Sequence, residues 1–358
     1  MKAFSQKIKE PLTILYNVFL VVYVLACISL FIAPEVFLLA GIGSFGLPVC
    51  FVVNMLFLPL LFIAGSALRW VSVVGLLPGL VIIPLVYHIG KSDNQINSKY
   101  IKVLSFNSGG YMYNSKERRT VEIEKWILSQ NFDVVCLQEY FPEWRAVYLK
   151  QDNGKRQKYH VSVSLFGEKF PYNYIAKTGN MLGVATFSRH PIINSGVVFW
   201  GQKKHNKGTF ADIKIGKDTI RFVNVHLESN LQPWSKIFSK DFLVTLKVFI
   251  KNQQTRSIQA EMVAQFIESS TLRTIVTGDF NESQFSFAYF RLRGFMKNCF
   301  EEKGKGLGAT FRPHTAYLRI DHQFYTPNLE LKSFEVLTNL EFSDHAPLIS
   351  RYAIGSEN

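Results

Sequence analysis

The chain is 358 residues long and 48% hydrophobic, with 40 lysines and arginines against 27 aspartates and glutamates and a formal net charge of +13. That length accommodates two or three domains, and the apolar and charged residues are spread too unevenly for one compact globule. Four cysteines, two of them inside apolar runs, give little sign of a disulfide framework.

From the N-terminus, residues 12–90 hold only Glu35 and Arg69 as acidic or strongly basic side chains. The uncharged runs 12–34, 36–68 and 70–90 each reach the roughly 20 residues that cross a hydrocarbon core. This composition predicts about three transmembrane helices, near 12–33, 38–65 and 70–89, in an anchor covering residues 1–90. Gly41, Gly43, Gly46 and Pro48 leave a second reading open for the middle run, a re-entrant piece plus a span or two short spans. A cleaved signal peptide has a shorter apolar core and no further spans behind it. Lys2, Lys7 and Lys9 before the first span favour an inside N-terminus, which with three spans puts the rest of the chain outside the cytoplasm; Lys91, Lys99 and Lys102 argue mildly the other way. The expected location is therefore the cell membrane, multi-pass, with the following domain extracytoplasmic.

Residues 91–99 read as a polar linker and 100–358 as the remaining domain, with 34 basic and 24 acidic residues beyond position 100. Such a surface attracts anionic partners: phosphodiesters, anionic lipid or phosphorylated metabolites. Strand-like apolar runs recur at 100–106, 133–137, 183–188, 208–215, 220–226, 274–277, 319–326 and 346–352. Helical spacing appears at 116–130, behind an Asn114 or Ser115 cap, and at 257–267. Mixed sheets with helices outside, an α+β arrangement, are the natural packing. Residues 231–254 place Trp234, Phe238, Phe242, Leu246 and Phe249 at helical spacing beside Lys236, Lys240, Lys247 and Lys251. Two readings stay open: a basic amphipathic helix on a membrane surface, or a helix packed on the domain with solvated lysines. Cys136 reads as a core strand residue, and a Cys136–Cys299 bridge is left open by spacing.

Polar residues close the apolar runs. Asn107 ends the first, Glu139 follows the second, His226 ends another, Asp279 and Asn281 follow 274–277, and Asp344-His345 precede the last. Taken singly, each is an ordinary turn carboxylate or structural histidine. Taken in order, the blocks Val103-Leu104-Ser105-Phe106-Asn107, Asp133-Val134-Val135-Cys136-Leu137-Gln138-Glu139, Asn224-Val225-His226-Leu227, Gly278-Asp279-Phe280-Asn281, Ile320-Asp321-His322 and Ser343-Asp344-His345 resemble the endonuclease/exonuclease/phosphatase superfamily, the deoxyribonuclease-I-like fold, in a membrane-anchored bacterial form.

The resemblance implies a four-layer α/β/β/α sandwich and a divalent-metal-dependent hydrolase of phosphate esters. A phosphodiester is protected by its charge, so hydrolysis needs a cation on the phosphate oxygens, a positioned water and donors for the developing charge. Carried over block by block, the resemblance implies Glu139 as first metal ligand, Asn107 orienting it, and Asp344 contributing from the far side, with oxygen donors suiting Mg2+ or Mn2+. It implies Asp279 orienting or deprotonating the water, Asn281 bonding the phosphate, His226 and His345 donating to phosphate oxygens, and Asp321 fixing His345. The chain departs from some nucleases of the superfamily at Gly109, where they carry an acidic residue, and no carboxylate partner for His226 is identifiable. The substrate stays open between nucleic acid, phospholipid and phosphorylated metabolite. Lys203, Lys204 and Lys207 suit a nucleic-acid groove, though a solvated loop reads better. The alternative of another class is an inactive membrane receptor or scaffold retaining the fold.

Overall fold

A computed structural model describes residues 2–38, 40–90, 100–111, 120–141, 144–150, 156–162, 164–177, 182–201, 206–229, 242–312 and 318–354. The N-terminal part is helical: α1 (Lys2–Ile28), α2 (Ala40–Ile63), α3 (Arg69–Val74) and α4 (Gly79–Val86). Ile8–Ile28, Gly46–Ile63 and Arg69–Val86 are long and apolar enough to cross a membrane. The α2 helix runs unbroken through Pro48, so the middle run is one helix, while the third stretch is two helices parted near Gly75 and Pro78. The helices are tied by buried polar groups. Tyr16 donates to Asn54 Oδ1 at 3.0 Å, Asn54 Nδ2 donates to the Ser72 carbonyl at 3.0 Å, and Tyr23 donates to the Gly75 carbonyl at 2.8 Å.

The rest of the chain supplies α5 (Thr120–Ser129), α6 (Phe242–Glu268), α7 (Phe287–Arg293) and α8 (Cys299–Lys303). Its strands, after β1 (His88–Ile89), are β2 (Tyr100–Asn107), β3 (Val134–Tyr140), β4 (Trp144–Lys150), β5 (Arg156–Ser162), β6 (Tyr172–Ala176), β7 (Gly183–Ser188), β8 (Ile192–Trp200), β9 (Lys207–Ile215), β10 (Asp218–His226), β11 (Arg273–Asp279), β12 (Lys297–Asn298), β13 (Lys305–Gly306), β14 (Asp321–Tyr325), β15 (Leu331–Val336) and β16 (Leu348–Ala353). Two six-stranded sheets form, in the orders β15-β16-β2-β3-β7-β6 and β12-β14-β11-β10-β9-β8. β4 and β5 pair as a separate hairpin and β1 pairs with β13.

Alternation along the strands builds three apolar layers. Ile101, Val103, Val134 and Cys136 of one sheet meet Ala211, Ile213, Phe222 and Ile275 of the other between the sheets. Leu104, Phe106, Val135 and Leu137 point outward against Ile123 and Ile127 of α5. On the far side Val223, Val225 and Val276 share a cluster with Ala260, Val263 and Ala264 of α6 and Ala288 and Tyr289 of α7. The result is the α/β/β/α sandwich expected from the sequence.

Two expectations need correction, and the bridge left open between Cys136 and Cys299 is not formed. The helices expected at 231–254 and 257–267 are one continuous α6 from Phe242, because no glycine or proline interrupts 252–256; Trp234, Phe238, Lys236 and Lys240 lie outside the described residues. Cys136 and Cys299 are free thiols, both buried, and Cys299 pairs with the Tyr352 hydroxyl at 3.0 Å. Lys207 is fully buried, contrary to the solvated loop expected for it, whereas Lys203 and Lys204 lie outside the described residues, as do the linker 91–99 and the Asn114 or Ser115 cap. The bundle also rests on the sandwich. Gln254 Nε2 donates to the Pro34 carbonyl at 3.3 Å, the Phe31 and Phe290 rings stand 5.3 Å apart, and Arg319 donates to the Leu85 carbonyl.

Candidate active site

Each sheet contains one parallel pair, β2 with β3 and β10 with β11, so the C-terminal ends of four strands reach the same edge. Those ends carry Asn107, Glu139, His226 and Asp279. The flanking antiparallel strands begin at that edge: β14 starts with Asp321, in register with Asp279, and Asp344-His345 precede β16. Topology alone therefore converges residues from six chain segments.

Local backbone then aims them. Glu139 has φ of 51° where the register of β3 slips after Leu137, turning a side chain out of the alternating pattern and into the cleft. Asn281 also sits at φ 51°. Left-handed backbone at non-glycine residues is costly and concentrates where function requires it. Gly278 has φ of 141°, and a Cβ there would lie 2.0 Å from the Val225 carbonyl oxygen, so only glycine lets β11 pass β10 before Asp279.

The centre is Asp279, almost fully buried at 1% exposure. Its Oδ2 accepts from Asn107 Nδ2 at 2.9 Å and its Oδ1 from the Asn281 amide at 2.8 Å. The same Oδ2 lies 3.6 Å from His226 Nε2 and 3.8 Å from His345 Nε2. His345 donates its other nitrogen, Nδ1, to Asp321 Oδ2 at 2.8 Å, and the Phe311 ring covers it at 4.9 Å. Thr310 Oγ1 accepts from the amides of Ile320 and Asp321 at 3.0 and 3.1 Å, fixing the start of β14. His226 faces Glu139 at 3.8 Å as well, so the carboxylates facing it are Asp279 and Glu139.

Burial raises the Asp279 carboxyl, and the imidazoles of His345 and His226 pull it back. Burial also works against charge on His345, but Asp321 and Asp279 outweigh it and hold the imidazole up to about 10. Those carboxylates favour the charged imidazole, with Nδ1 donating to Asp321 and Nε2 facing Asp279 Oδ2. Burial first, then the Asp279 and Asp344 carboxylates, push Glu139 up to about 7 against the pull of His345 and Asn107.

Asp279, Asp321 and His345 offer ligand atoms within 4.8 Å of one another. Among the described residues this is the group of three that could hold a metal ion, and its Asp321 is also the partner of His345 Nδ1. Facing Glu139 stand further oxygen donors, the Asp279 and Asp344 carboxylates that push it up, with Asp344 Oδ1 3.4 Å from where a Cβ on Gly109 would stand.

The structure thus brings Asn107, Glu139, His226, Asp279, Asp321, Asp344 and His345 to one cleft. Asn281 reaches it through its backbone amide, while its Nδ2 donates to the Leu227 carbonyl at 3.0 Å. Sequence reading missed the floor, where Gln138 Nε2 donates to Asn224 Oδ1 at 2.6 Å and Asn224 Nδ2 donates to the Ala185 carbonyl at 3.0 Å, stitching the sheets together. It also missed Arg256, whose fully buried guanidinium donates to Glu282 at 2.5 Å and to the Glu228 carbonyl at 2.7 Å, joining the loops after His226 and Asp279. Lys207 pairs in register with His226, its ammonium 5.1 Å from the Trp200 ring, and burial lowers it to about 8. A signal for it existed: a two-residue turn at Gly216-Lys217 fixes the β9–β10 register and sets Lys207 opposite His226.

The endonuclease/exonuclease/phosphatase family matches residues 104–345. No curated protein matches the chain. Among solved structures the chain is similar to an endonuclease/exonuclease/phosphatase from Beutenbergia cavernae DSM 12333, at 15% identity over 72% of each chain with a TM-score of 0.51. It is similar to TDP2 from D. rerio in complex with a single-strand DNA product, at 14% identity over 72% of this chain and 100% of that one, with a TM-score of 0.51. A humanized D. rerio TDP2 with 14 mutations gives 15% identity over 71% and 99%, again at 0.51. At these identities the structural likeness is one of fold. The family match covers two thirds of the sequence and takes in every candidate residue from Asn107 to His345, so the chain belongs to the endonuclease/exonuclease/phosphatase family.

Proposed function

We propose that the protein is a membrane-anchored, divalent-metal-dependent hydrolase of phosphate esters, with its cleft on the extracytoplasmic side. The observation that carries this reading is Asp279 held between two imidazoles, one of them clamped by Asp321 at 2.8 Å. A binding scaffold has no use for a buried carboxylate flanked by two proton donors.

Glu139, Asn107 and Asp344 would hold Mg2+ or Mn2+, which when bound neutralises phosphate charge. Asp279 orients the attacking water and takes its proton, its burial making it a stronger base than a solvated carboxylate. The water oxygen bonds to phosphorus as the ester P–O bond breaks, and the leaving alkoxide takes its proton from solvent. His345 and His226 donate to the phosphate oxygens as charge develops on them, and Asp321 keeps His345 charged and aligned. Lys207, beside His226, adds positive charge to the wall that receives the phosphate.

The test is full-length protein in detergent with Mg2+ or Mn2+, assayed against DNA, RNA, phospholipids and phosphorylated sugars and inositols. Hydrolysis of one class, stopped by chelator and restored by metal, is expected. No hydrolysis across the panel would favour the alternative, an inactive receptor or scaffold.

A further inference from the structure

Helix α6 has a face that the sandwich leaves uncovered. Leu243, Val244, Ile258 and Met262 are 68, 60, 49 and 42% exposed, and Lys247 and Lys251 are exposed among them. At the α-helical repeat these six side chains fall within one arc of about 100°. The opposite side of the same helix is committed to the site: Asn252 donates to the Ser229 carbonyl at 3.2 Å, Gln259 accepts from the Glu228 amide at 2.9 Å, and Arg256 donates to the Glu228 carbonyl at 2.7 Å.

The middle of the uncovered arc meets the end of the apolar bundle. Gln254, inside the arc, donates to the Pro34 carbonyl at 3.3 Å, and the Gln253 side chain lies 2.9 Å from where a Cβ on Gly41 would stand. Pro34 lies in the connection between α1 and α2, and Gly41 in the first turn of α2. The end of α4 closes on the sandwich as well, through Leu85 and Arg319. The bundle therefore fixes which side of α6 faces any bilayer that α1, α2 and α3–α4 cross.

We infer that α6 is an interfacial helix whose outer arc beds into the lipid headgroup layer, with Leu243, Val244, Ile258 and Met262 at the acyl boundary and Lys247 and Lys251 on lipid phosphates. Exposed apolar side chains interleaved with lysines on a surface pinned to a span connection suit that place, and Glu261 at the arc's edge is paired with Arg291 at 2.6 Å. A protein partner for the same arc has to approach from the side the bilayer occupies. Only a helix lying along the surface brings Leu243 and Met262, about 28 Å apart along the axis at 1.5 Å per residue, to one depth. The loop after His226 then sits one helix width from lipid. The inference rests on the reading that the apolar helices span a membrane.

The test uses full-length protein in phosphatidylglycerol-containing vesicles, with bimane attached to Leu243→Cys, Ile258→Cys or Met262→Cys and lipids brominated high in the acyl chain as quenchers. The signal of unsubstituted protein is subtracted for Cys27 and Cys50. Val18→Cys, on the outer surface of α1, is the span control, and Lys125→Cys, exposed on α5 in the layer opposite α6, is the aqueous control. Burial of an interfacial helix by roughly 5–10 Å predicts that all three α6 labels lose about half their emission, together with Val18→Cys, while Lys125→Cys is unchanged. Quenching at Val18→Cys without quenching on α6, or at only one end of α6, overturns the inference. No quenching at Val18→Cys overturns the membrane reading itself.

Discussion

At the scale of single residues, the site is set by backbone positions that tolerate one side chain and by charges that need one another. Gly278 is the clearest backbone case. A methyl group there meets the Val225 carbonyl at 2.0 Å in a conformation that L-residues avoid, so Gly278→Ala should cost about 3 kcal/mol or more. A urea unfolding midpoint within error of the parent protein contradicts that. Lys207 makes the pH case. Its pKa in the fold is lowered by burial from 10.5 to about 8, so the contribution of this group to stability is fully present above 10.5 and is lost as pH falls through about 8. Lys207→Met, which removes the buried charge, should raise the melting temperature at neutral pH. The gain should vanish above pH 10.5, and the Michaelis constant for a phosphate ester should rise. Melts across that range that leave the difference constant would remove burial as the cause.

At the scale of elements, α6 does two jobs with its two faces. Arg256 on the inner face is fully buried and bonds Glu282 at 2.5 Å, and burial raises Glu282 while Arg256 draws it back. Arg256→Met strands that carboxyl, a loss of about 3–5 kcal/mol for a broken buried pair. Arg256→Met combined with Glu282→Gln should recover part of the loss, and a double-mutant cycle by urea unfolding measures it. Additive losses would mean the two side chains act separately. The strands that carry Asn107, Glu139, His226 and Asp279 were legible because each pairs an apolar run with a polar end. β8 and β15 were not, since Ile192–Trp200 and Leu331–Val336 are half-exposed edge strands with weak alternation. The continuity of α6 was hidden because its apolar residues change partners along its length, from an uncovered face to the sandwich core, which reads as two helices. Arg256 gave no signal at all: a guanidinium mid-helix looks solvated until the two loops it joins are placed around it.

At the scale of the whole molecule, an apolar bundle and a four-layer sandwich share one buried cluster, in which Tyr23, Leu30, Leu47 and Leu85 accompany Val263, Phe285 and Phe324. The chain order of the site, Asn107 to His345, spans most of the sandwich, so the site exists only when both sheets are formed and stitched by Gln138 and Asn224. On the proposed function, this shared edge hydrolyses phosphate esters with Asp279 as its pivot. The most direct measurement is turnover of bis(p-nitrophenyl) phosphate by full-length protein with Mn2+, compared with Asp279→Asn and His345→Ala variants of unchanged circular dichroism. Each variant should lower kcat by about 10²–10⁴-fold, and excess chelator should abolish turnover. Full activity in either variant, or turnover indifferent to chelator, would contradict that function.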